Sequence, residues 1–250
     1  MEVLKIKLYQ PVACYRKPLS FGVVETFLLP PFSTVKGWVH YTASVEKEYS
    51  MRVSIHGSFG TVGYQLQKIK KFDREREGRP KLIGFGKKYT LVSSPIYVQE
   101  LFDVNLTIYL SADKELLKKF CENLLIKDFV SLGRREDLAL LVEEPKPVKL
   151  EPFKAPRFLR IRELTYLTRE TAKKLKLSGT YYRLGICYDD KLKKLVGWRY
   201  FLKKEDFLLA APTSRRVRED LDFIYVDPED GRAVEMVNLE ACSGNSGEGH

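Results

Sequence analysis

A chain of 250 residues, 44% of them hydrophobic, can bury a genuine core, which excludes wholesale disorder and suggests one large domain or two small ones. Its 43 Lys and Arg against 33 Asp and Glu leave a formal charge of +10, a balance that suits a polyanionic partner, although a Lys- and Glu-rich surface of the thermophilic kind also accounts for it. Cys14, Cys121, Cys187 and Cys242 lie far apart with no CxxC pair, which excludes a zinc module or redox motif, so reduced, mostly buried thiols and no metal or other cofactor are expected.

Apolar residues and lysines alternate from Val3 to Leu8, predicting a first strand with one face on a core and one in water. Met1 to Tyr9 lacks the basic and apolar regions of a leader, and no apolar run reaches the length of a membrane span, so a soluble, cytoplasmic chain without a membrane partner is expected. After Pro30 and Pro31, Ser33 or Thr34 is the expected cap of a helix with Val35, Trp38, Val39 and Thr42 on one face, ending near Ala43. Met51 to His56 alternates again. Phe102 to Leu110 is a β-branched and aromatic run, followed by a helix with Leu116, Leu117, Phe120 and Leu124 on one stripe and a short strand near Asp128 to Val130.

Strand, helix, strand, excursion, strand, helix, strand is the split βαβ order of an α+β, ferredoxin-like (RRM-like) domain, expected over residues 1–144. The excursion, Gly57 to Val98, is too long for a plain connection, and its two alternating segments read as a β-hairpin arm, or thumb. Pro145, Pro147, Pro152 and Pro156 predict an extended linker over 145–157. Beyond it a small, mostly β domain is expected over 158–242. Thr180 to Tyr188 there faces Leu195 to Leu202, and Phe223 to Val226 meets Ala233 to Val237 across Pro-Glu-Asp-Gly. The Gly- and Ser-rich tail, 243–250, reads as disordered.

Three segments carry candidate chemistry. Between Lys68 and Lys88 stand nine basic residues, among them Lys68, Lys70, Lys71, Arg74 and Arg76, against three acidic ones, with Phe72, Phe85 and Tyr89 interleaved. Lysine and arginine neutralise phosphates while aromatic faces stack on bases; a solvated charged loop anchored by its aromatics is the competing reading. In Ser131-Leu-Gly-Arg-Arg-Glu-Asp-Leu138, Gly133 permits a sharp turn and Arg134 and Arg135 can make bidentate phosphate contacts, whereas Glu136 and Asp137 allow a self-paired surface turn instead. Finally, Tyr9 to Pro18 and Thr26 to Gly37 run from a strand end through a proline-stiffened loop to a helix N-terminus, where Ser33, Thr34 and Lys36 could receive an anion. An ordinary capped helix explains that segment as well.

Taken together, Q-P-x-A-x-Y-R-x-P, then L-P-P-x-S-T-V-x-G, then L-G-R-R-E-D-L resemble the Cas-five family of CRISPR-associated proteins, particularly members serving type I-B and related Cascade complexes. The resemblance runs from Met1 to about Leu141. It implies a repeat-associated RNA-binding fold with a β-hairpin thumb. It further implies a subunit that holds the 5′ repeat-derived handle of the CRISPR RNA, touches a Cas-seven backbone subunit and the Cas-eight large subunit, and meets target DNA through the assembled complex. Carried over by position, Tyr15, Arg16, Ser33, Thr34, Lys36, Gly133, Arg134 and Arg135 are the implied handle contacts.

Some relatives cut precursor RNA themselves without metal, using Tyr, Lys and His side chains for general acid and base work. Here the histidines are His40 on the first helix, His56 at a strand end and His250 in the tail, with no Lys-His pair. There is no P-loop, GxSxG elbow or spaced pair of acids either. The expectation is a non-catalytic subunit served by a separate Cas-six endonuclease. A metal-independent endoribonuclease of the same fold and a general RNA-binding module unrelated to CRISPR are the alternatives.

Overall fold

The computed structural model describes residues 1–18, 22–74, 81–82, 89–127, 130–189 and 200–240. The chain opens with β1 (Glu2–Ala13), β2 (Tyr15–Arg16), β3 (Val23–Val24) and β4 (Thr26–Phe27), followed by α1 (Phe32–Ala43). Next come β5 (Met51–Ser58), β6 (Thr61–Arg74), β7 (Lys81–Leu82), β8 (Tyr89–Ala112), α2 (Lys114–Ile126) and β9 (Leu140–Leu141). The remainder is β10 (Lys146–Lys149), β11 (Glu151–Phe153), β12 (Arg157–Ile161), β13 (Leu164–Thr168), α3 (Arg169–Lys174), β14 (Thr180–Asp189) and β15 (Tyr200–Ala210). It ends with β16 (Thr213–Val217), β17 (Leu221–Val226), β18 (Ala233–Glu235) and β19 (Val237–Leu239). The fold is mixed α and β, with strands predominating.

The main sheet has the order β10-β1-β8-β5-β13-β15-β14, and its strand neighbours are antiparallel. Leu4, Ile6 and Leu8 of β1 share a core with Val35, Trp38 and Val39 of α1 and Leu116, Phe120 and Leu124 of α2. Trp38 meets Phe120 edge-on at 5.1 Å. The predicted faces of both helices are therefore the ones that are buried. Helix α2 starts at Asp113, whose side chain accepts the Glu115 N–H at 2.9 Å. Helix α1 starts earlier than expected: Pro31 is its N-cap, with no side-chain cap, and Ser33 and Thr34 lie in the first turn. The cause is packing, because Phe32 is drawn into the core against Phe207 and Tyr166.

The other face of β1 departs from the alternation argument. Lys5 is 2% exposed, and its Nζ lies 2.5 Å from Asp227 Oδ2 and 2.8 Å from Glu229 Oε2. Asp227, fully buried, also accepts the Tyr109 hydroxyl at 2.6 Å. Around this group Val3, Tyr109, Val148, Leu150 and Val234 form a separate apolar cluster. The expected watery face of β1 is thus covered by the β17–β18 hairpin, whose pairing runs from Ile224↔Glu235 to Val226↔Ala233.

The same sheet runs across the expected domain boundary. The stretch expected as a 145–157 linker is extended but paired: β10 lies on β1 with Glu2↔Lys149, and β11 pairs with β17. Residues 158–240 do not stand apart, since β13 and β19 both pair with β5. Val130 belongs to no strand, and the first-half sheet instead gains β9, with Leu8↔Leu141; Asp128 and Phe129 lie outside the described residues. So do residues 190–199, which take in most of the turn region expected over Asp189 to Lys194, and the tail with His250 and Cys242. Cys14 is buried and Cys121 half-buried, both unbridged.

Burial disfavours the Asp227 carboxylate, but hydrogen bonds from Lys5 and Tyr109 outweigh it and hold its pKa below the ordinary 3.8. Burial likewise opposes the Lys5 charge, yet bonds to Asp227 and Glu229 raise its pKa above 10.5. For a depressed acid, stability is present above the unfolded value and lost as pH falls through the folded one; for a raised base it is lost as pH climbs through the folded value. The pair should therefore contribute fully between the ordinary values of 3.8 and 10.5 and fade only beyond them. Lys5→Met, which strands a buried carboxylate, should lower stability by about 3 to 5 kcal/mol, measured as a fall in the urea midpoint at pH 7.

Candidate nucleic-acid interface

Asp137, 1% exposed, organises the Gly-Arg-Arg turn. Its Oδ2 accepts the backbone N–H of Arg134 at 2.8 Å and that of Cys14 at 3.0 Å, and its Oδ1 accepts Arg134 Nη2 at 2.7 Å. Arg134 Nη2 also reaches Glu100 Oε1 at 2.8 Å. Burial works against the guanidinium charge, but Asp137 and Glu100 more than compensate and raise its pKa. Gln10 donates to the carbonyls of Leu132 at 2.9 Å and Asp137 at 3.2 Å, while accepting the Tyr15 hydroxyl. The two sequence segments singled out separately, Tyr9 to Pro18 and Ser131 to Leu138, are therefore two sides of one hydrogen-bonded unit.

Gly133 has φ +115°, and a Cβ there would stand 2.8 Å from Asp137 Oδ2. The glycine is needed because the carboxylate occupies the space a side chain would take. Between turn and arm lies a cleft of about 410 Å³ lined by Tyr64, Gln67, Glu100, Phe102, Arg134 and Glu136, among others. Three carboxylates against one guanidinium make its lining net acidic.

The arm is a two-stranded ladder in which β6 and β8 pair from Thr61↔Phe102 to Arg74↔Tyr89. β8 is 24 residues long and belongs to both sheet and arm. It bends between them at Asp103, φ +55°, whose carboxylate accepts the Tyr9 hydroxyl at 2.8 Å. One face of the arm, in register Tyr64↔Gln99, Leu66↔Tyr97 and Lys68↔Pro95, is open: Tyr64, Leu66 and Tyr97 are 64%, 60% and 53% exposed. Lys68 and Lys70 are exposed on the same strand face.

The predicted contacts divide on this geometry. Arg16, Gly133, Arg135, Lys68 and Lys70 are exposed, and Ser33 and Thr34 are half-buried in the first turn of α1. Tyr15 is 2% exposed, with its backbone N–H on Thr26 Oγ1 at 2.8 Å. Lys36 is 5% exposed, its Nζ 2.7 Å from the Glu240 carbonyl and 2.5 Å from Glu48 Oε1. Tyr15, Lys36 and Arg134 thus serve the protein's own interior, because each finds an internal partner that outcompetes water. Lys71 and Arg74 lie on β6 with side chains that are not described, and Arg76 lies outside the described residues. Asp137 and Glu136 both pair with Arg134, at 2.7 Å and 3.4 Å, which is the self-pairing that Glu136 and Asp137 allowed in the sequence, with Asp137 buried beneath the turn.

Sequence reasoning missed Gln10, Glu100 and the Tyr64–Leu66–Tyr97 face. The period of two through Tyr64, Leu66, Lys68 and Lys70 was the available signal for the last; nothing local marks Glu100. Arg134→Ala should cost about 2 to 3 kcal/mol by leaving two near-buried carboxylates without their cation, somewhat less than a fully enclosed pair. Gly133→Ala should cost about 1 to 3 kcal/mol. Both are checked by chemical denaturation of the RNA-free protein.

No curated protein matches the chain in sequence. Among solved structures it is similar to a chain of a CRISPR RNA-guided surveillance complex, at TM-score 0.53 and 13% identity, over 85% of this chain and 91% of that one. It is also similar to a CRISPR protein from Archaeoglobus fulgidus, at TM-score 0.47 and 12% identity, over 97% and 100% of the two chains. At such identities the first likeness concerns the fold. The family model described as CRISPR-associated protein (Cas_Cas5) matches residues 3–195, which covers the arm and the Gly-Arg-Arg turn. On that match, the chain belongs to the CRISPR-associated protein (Cas_Cas5) family.

Proposed function

We propose that this protein is a non-catalytic RNA-binding subunit of a type I, I-B-like Cascade complex that holds the 5′ handle of the CRISPR RNA and joins a Cas-seven backbone subunit to a Cas-eight large subunit. Family membership supports the CRISPR setting, and the fold likeness to a chain of an RNA-guided surveillance complex is consistent with it. The order β10-β1-β8-β5, with α1 between β1 and β5 and α2 between β8 and β10, supports the ferredoxin-like reading. The long β6–β8 hairpin supports the reading as a thumb.

The observation that carries the proposal is the Arg134 bridge from Asp137 to Glu100. It fastens the turn to the base of the arm, so that exposed Arg135 and the arm's Tyr64, Tyr97, Lys68 and Lys70 belong to one pre-organised unit. Pre-organised cations and aromatic faces bind a strand without first being ordered. Phosphates would meet Arg135 and the arm lysines, not the acidic cleft between them.

The absence of catalysis is supported by how the two described histidines are used. His40 Nδ1 lies 2.7 Å from the Lys36 carbonyl, and its Nε2 accepts the Tyr49 N–H at 2.9 Å. His56 is fully buried, and burial drives its pKa well below 6.5. A ring with both nitrogens engaged and a ring shut from solvent are poorly suited to shuttle a proton for a 2′-hydroxyl.

Two assays test the proposal. Arg135→Ala should weaken handle-RNA binding by about 1.5 to 3 kcal/mol per charged hydrogen bond lost while leaving the urea midpoint unchanged; undiminished handle affinity moves the site elsewhere. Incubation with the cognate repeat RNA in EDTA should leave the RNA intact, and specific cut ends that vanish in His40→Ala or His56→Ala would overturn the non-catalytic reading.

A further inference from the structure

The handle reading leaves the second half of the chain without a ligand, and a different charge pattern stands there. β12 and β16 form a two-stranded antiparallel ribbon in the register Phe158↔Arg216, Leu159↔Arg215, Arg160↔Ser214 and Ile161↔Thr213. Leu159 and Ile161 are 2% and 3% exposed and join a core with Leu167, Leu175 and Leu208, so one face of the ribbon is fastened inward. Directly paired residues project on the same face, and the face alternates along each strand. The outer face consequently carries Phe158, Arg160, Ser214 and Arg216, with Arg162 and Arg218 following at the same parity.

Three properties distinguish this face from the Gly-Arg-Arg turn. Phe158 is 54% exposed, an unusual position for a phenyl ring with no polar handle, and Arg216 stands directly across from it. Arg160, Arg162, Arg216 and Arg218 are exposed, and none has an ion-pair partner among the described residues. Arg134, by contrast, is neutralised twice over. Beside the ribbon opens a cleft of about 600 Å³, where Lys173, Lys174, Lys176 and Arg215, with Arg216 and Arg218, face Glu219, Asp220 and Asp222. Some of those charges are engaged: Asp220 accepts the Ala155 N–H, Arg215 donates to the carbonyls of Leu175 and Lys176, and Lys174 lies over the Phe223 ring at 4.6 Å. Arg160, Arg162, Arg216 and Arg218, which have no ion-pair partner among the described residues, are left for a ligand.

We infer that the outer face of the β12–β16 ribbon is a second nucleic-acid site, in which Arg160 and Arg216 bind the phosphates of a single strand and Phe158 stacks on one of its bases. An exposed ring flanked by unpaired guanidinium groups matches a splayed, single-stranded polynucleotide; a duplex, its bases already stacked, has no use for Phe158. The assignment is independent of the handle reading, since no residue is shared between them. The same chemistry recognises RNA and a displaced DNA strand.

The test uses the full chain with fluorescein-labelled oligo-U, oligo-dT and a DNA duplex, by anisotropy across a KCl series. It is run in the wild type and in Arg135→Ala/Lys68→Ala/Lys70→Ala, so that the arm does not mask the ribbon. In the Arg135→Ala/Lys68→Ala/Lys70→Ala background Phe158→Ala should weaken single-strand binding at least fivefold. Arg160→Ala/Arg216→Ala should weaken it more and reduce the salt slope by about 0.7 per arginine. Loss with oligo-U alone identifies the strand as RNA, and loss with both probes extends it to DNA. Unchanged affinity and slope in both variants overturn the site, as does duplex binding equal to single-strand binding and indifferent to Phe158.

Discussion

The buried ion pair between Lys5 and Asp227 governs how the two halves of this chain meet. β1 is central to the first-half sheet, and one of its faces is sealed by α1 and α2. A lysine on the opposite face forces a choice between leaving that face wet and supplying a buried anion. The chain supplies Asp227 from the turn that closes β17 and β18, and the tyrosine hydroxyl of β8 completes its acceptor shell. Since a buried charge is tolerated only when paired and hydrogen-bonded, the position of that distant turn is tied to the register of β1. Further links, β10 on β1 and both β13 and β19 on β5, continue the join as backbone ladders.

The same logic recurs at smaller scale in the candidate interface. Asp137 is buried beneath its turn and satisfied by two backbone amides and a guanidinium. It fixes what surrounds it: Gly133 has no room for a side chain, Cys14 holds the end of β1 in place, and Arg134 reaches across to Glu100. One of the two arginines that read as phosphate contacts, Arg134, holds the turn to the arm, and its neighbour Arg135 is left exposed. Adjacent residues of identical chemistry thus take opposite roles, decided by which of them lies over a buried acid.

The arm belongs to the main sheet, whereas β12 and β16 form a two-stranded sheet of their own. β8 carries the arm out of the central sheet, bending at Asp103, so the arm's orientation is inherited from the core. β12 and β16 stand on the second apolar cluster, fastened by Leu159 and Ile161. In the β12–β16 ribbon one face is committed to packing, which leaves aromatic and basic side chains on the other with a fixed spacing. Rigid presentation of this kind reduces the ordering cost of binding an extended strand.

Local pattern determined a good deal by itself. The 3.6-residue spacing of Val35, Trp38, Val39 and Thr42 and of Leu116, Phe120 and Leu124 located both helices and their buried faces, and the two alternating segments of the excursion located the arm. Such periodicities reflect one element against one core, so they survive without knowledge of the partner. The fate of Lys5, Lys36 and Arg134 could not be read in this way, because each depends on an acid or carbonyl that is remote in sequence (Asp227, Glu240, Glu100) or on whether Asp137 is buried. Pro145 to Pro156 reads as a linker for the same reason: proline dictates extended backbone but is silent on whether another strand lies beside it. Tertiary structure decided those cases, since the protonation, burial and availability of a charged side chain are properties of its surroundings and not of its neighbours along the chain.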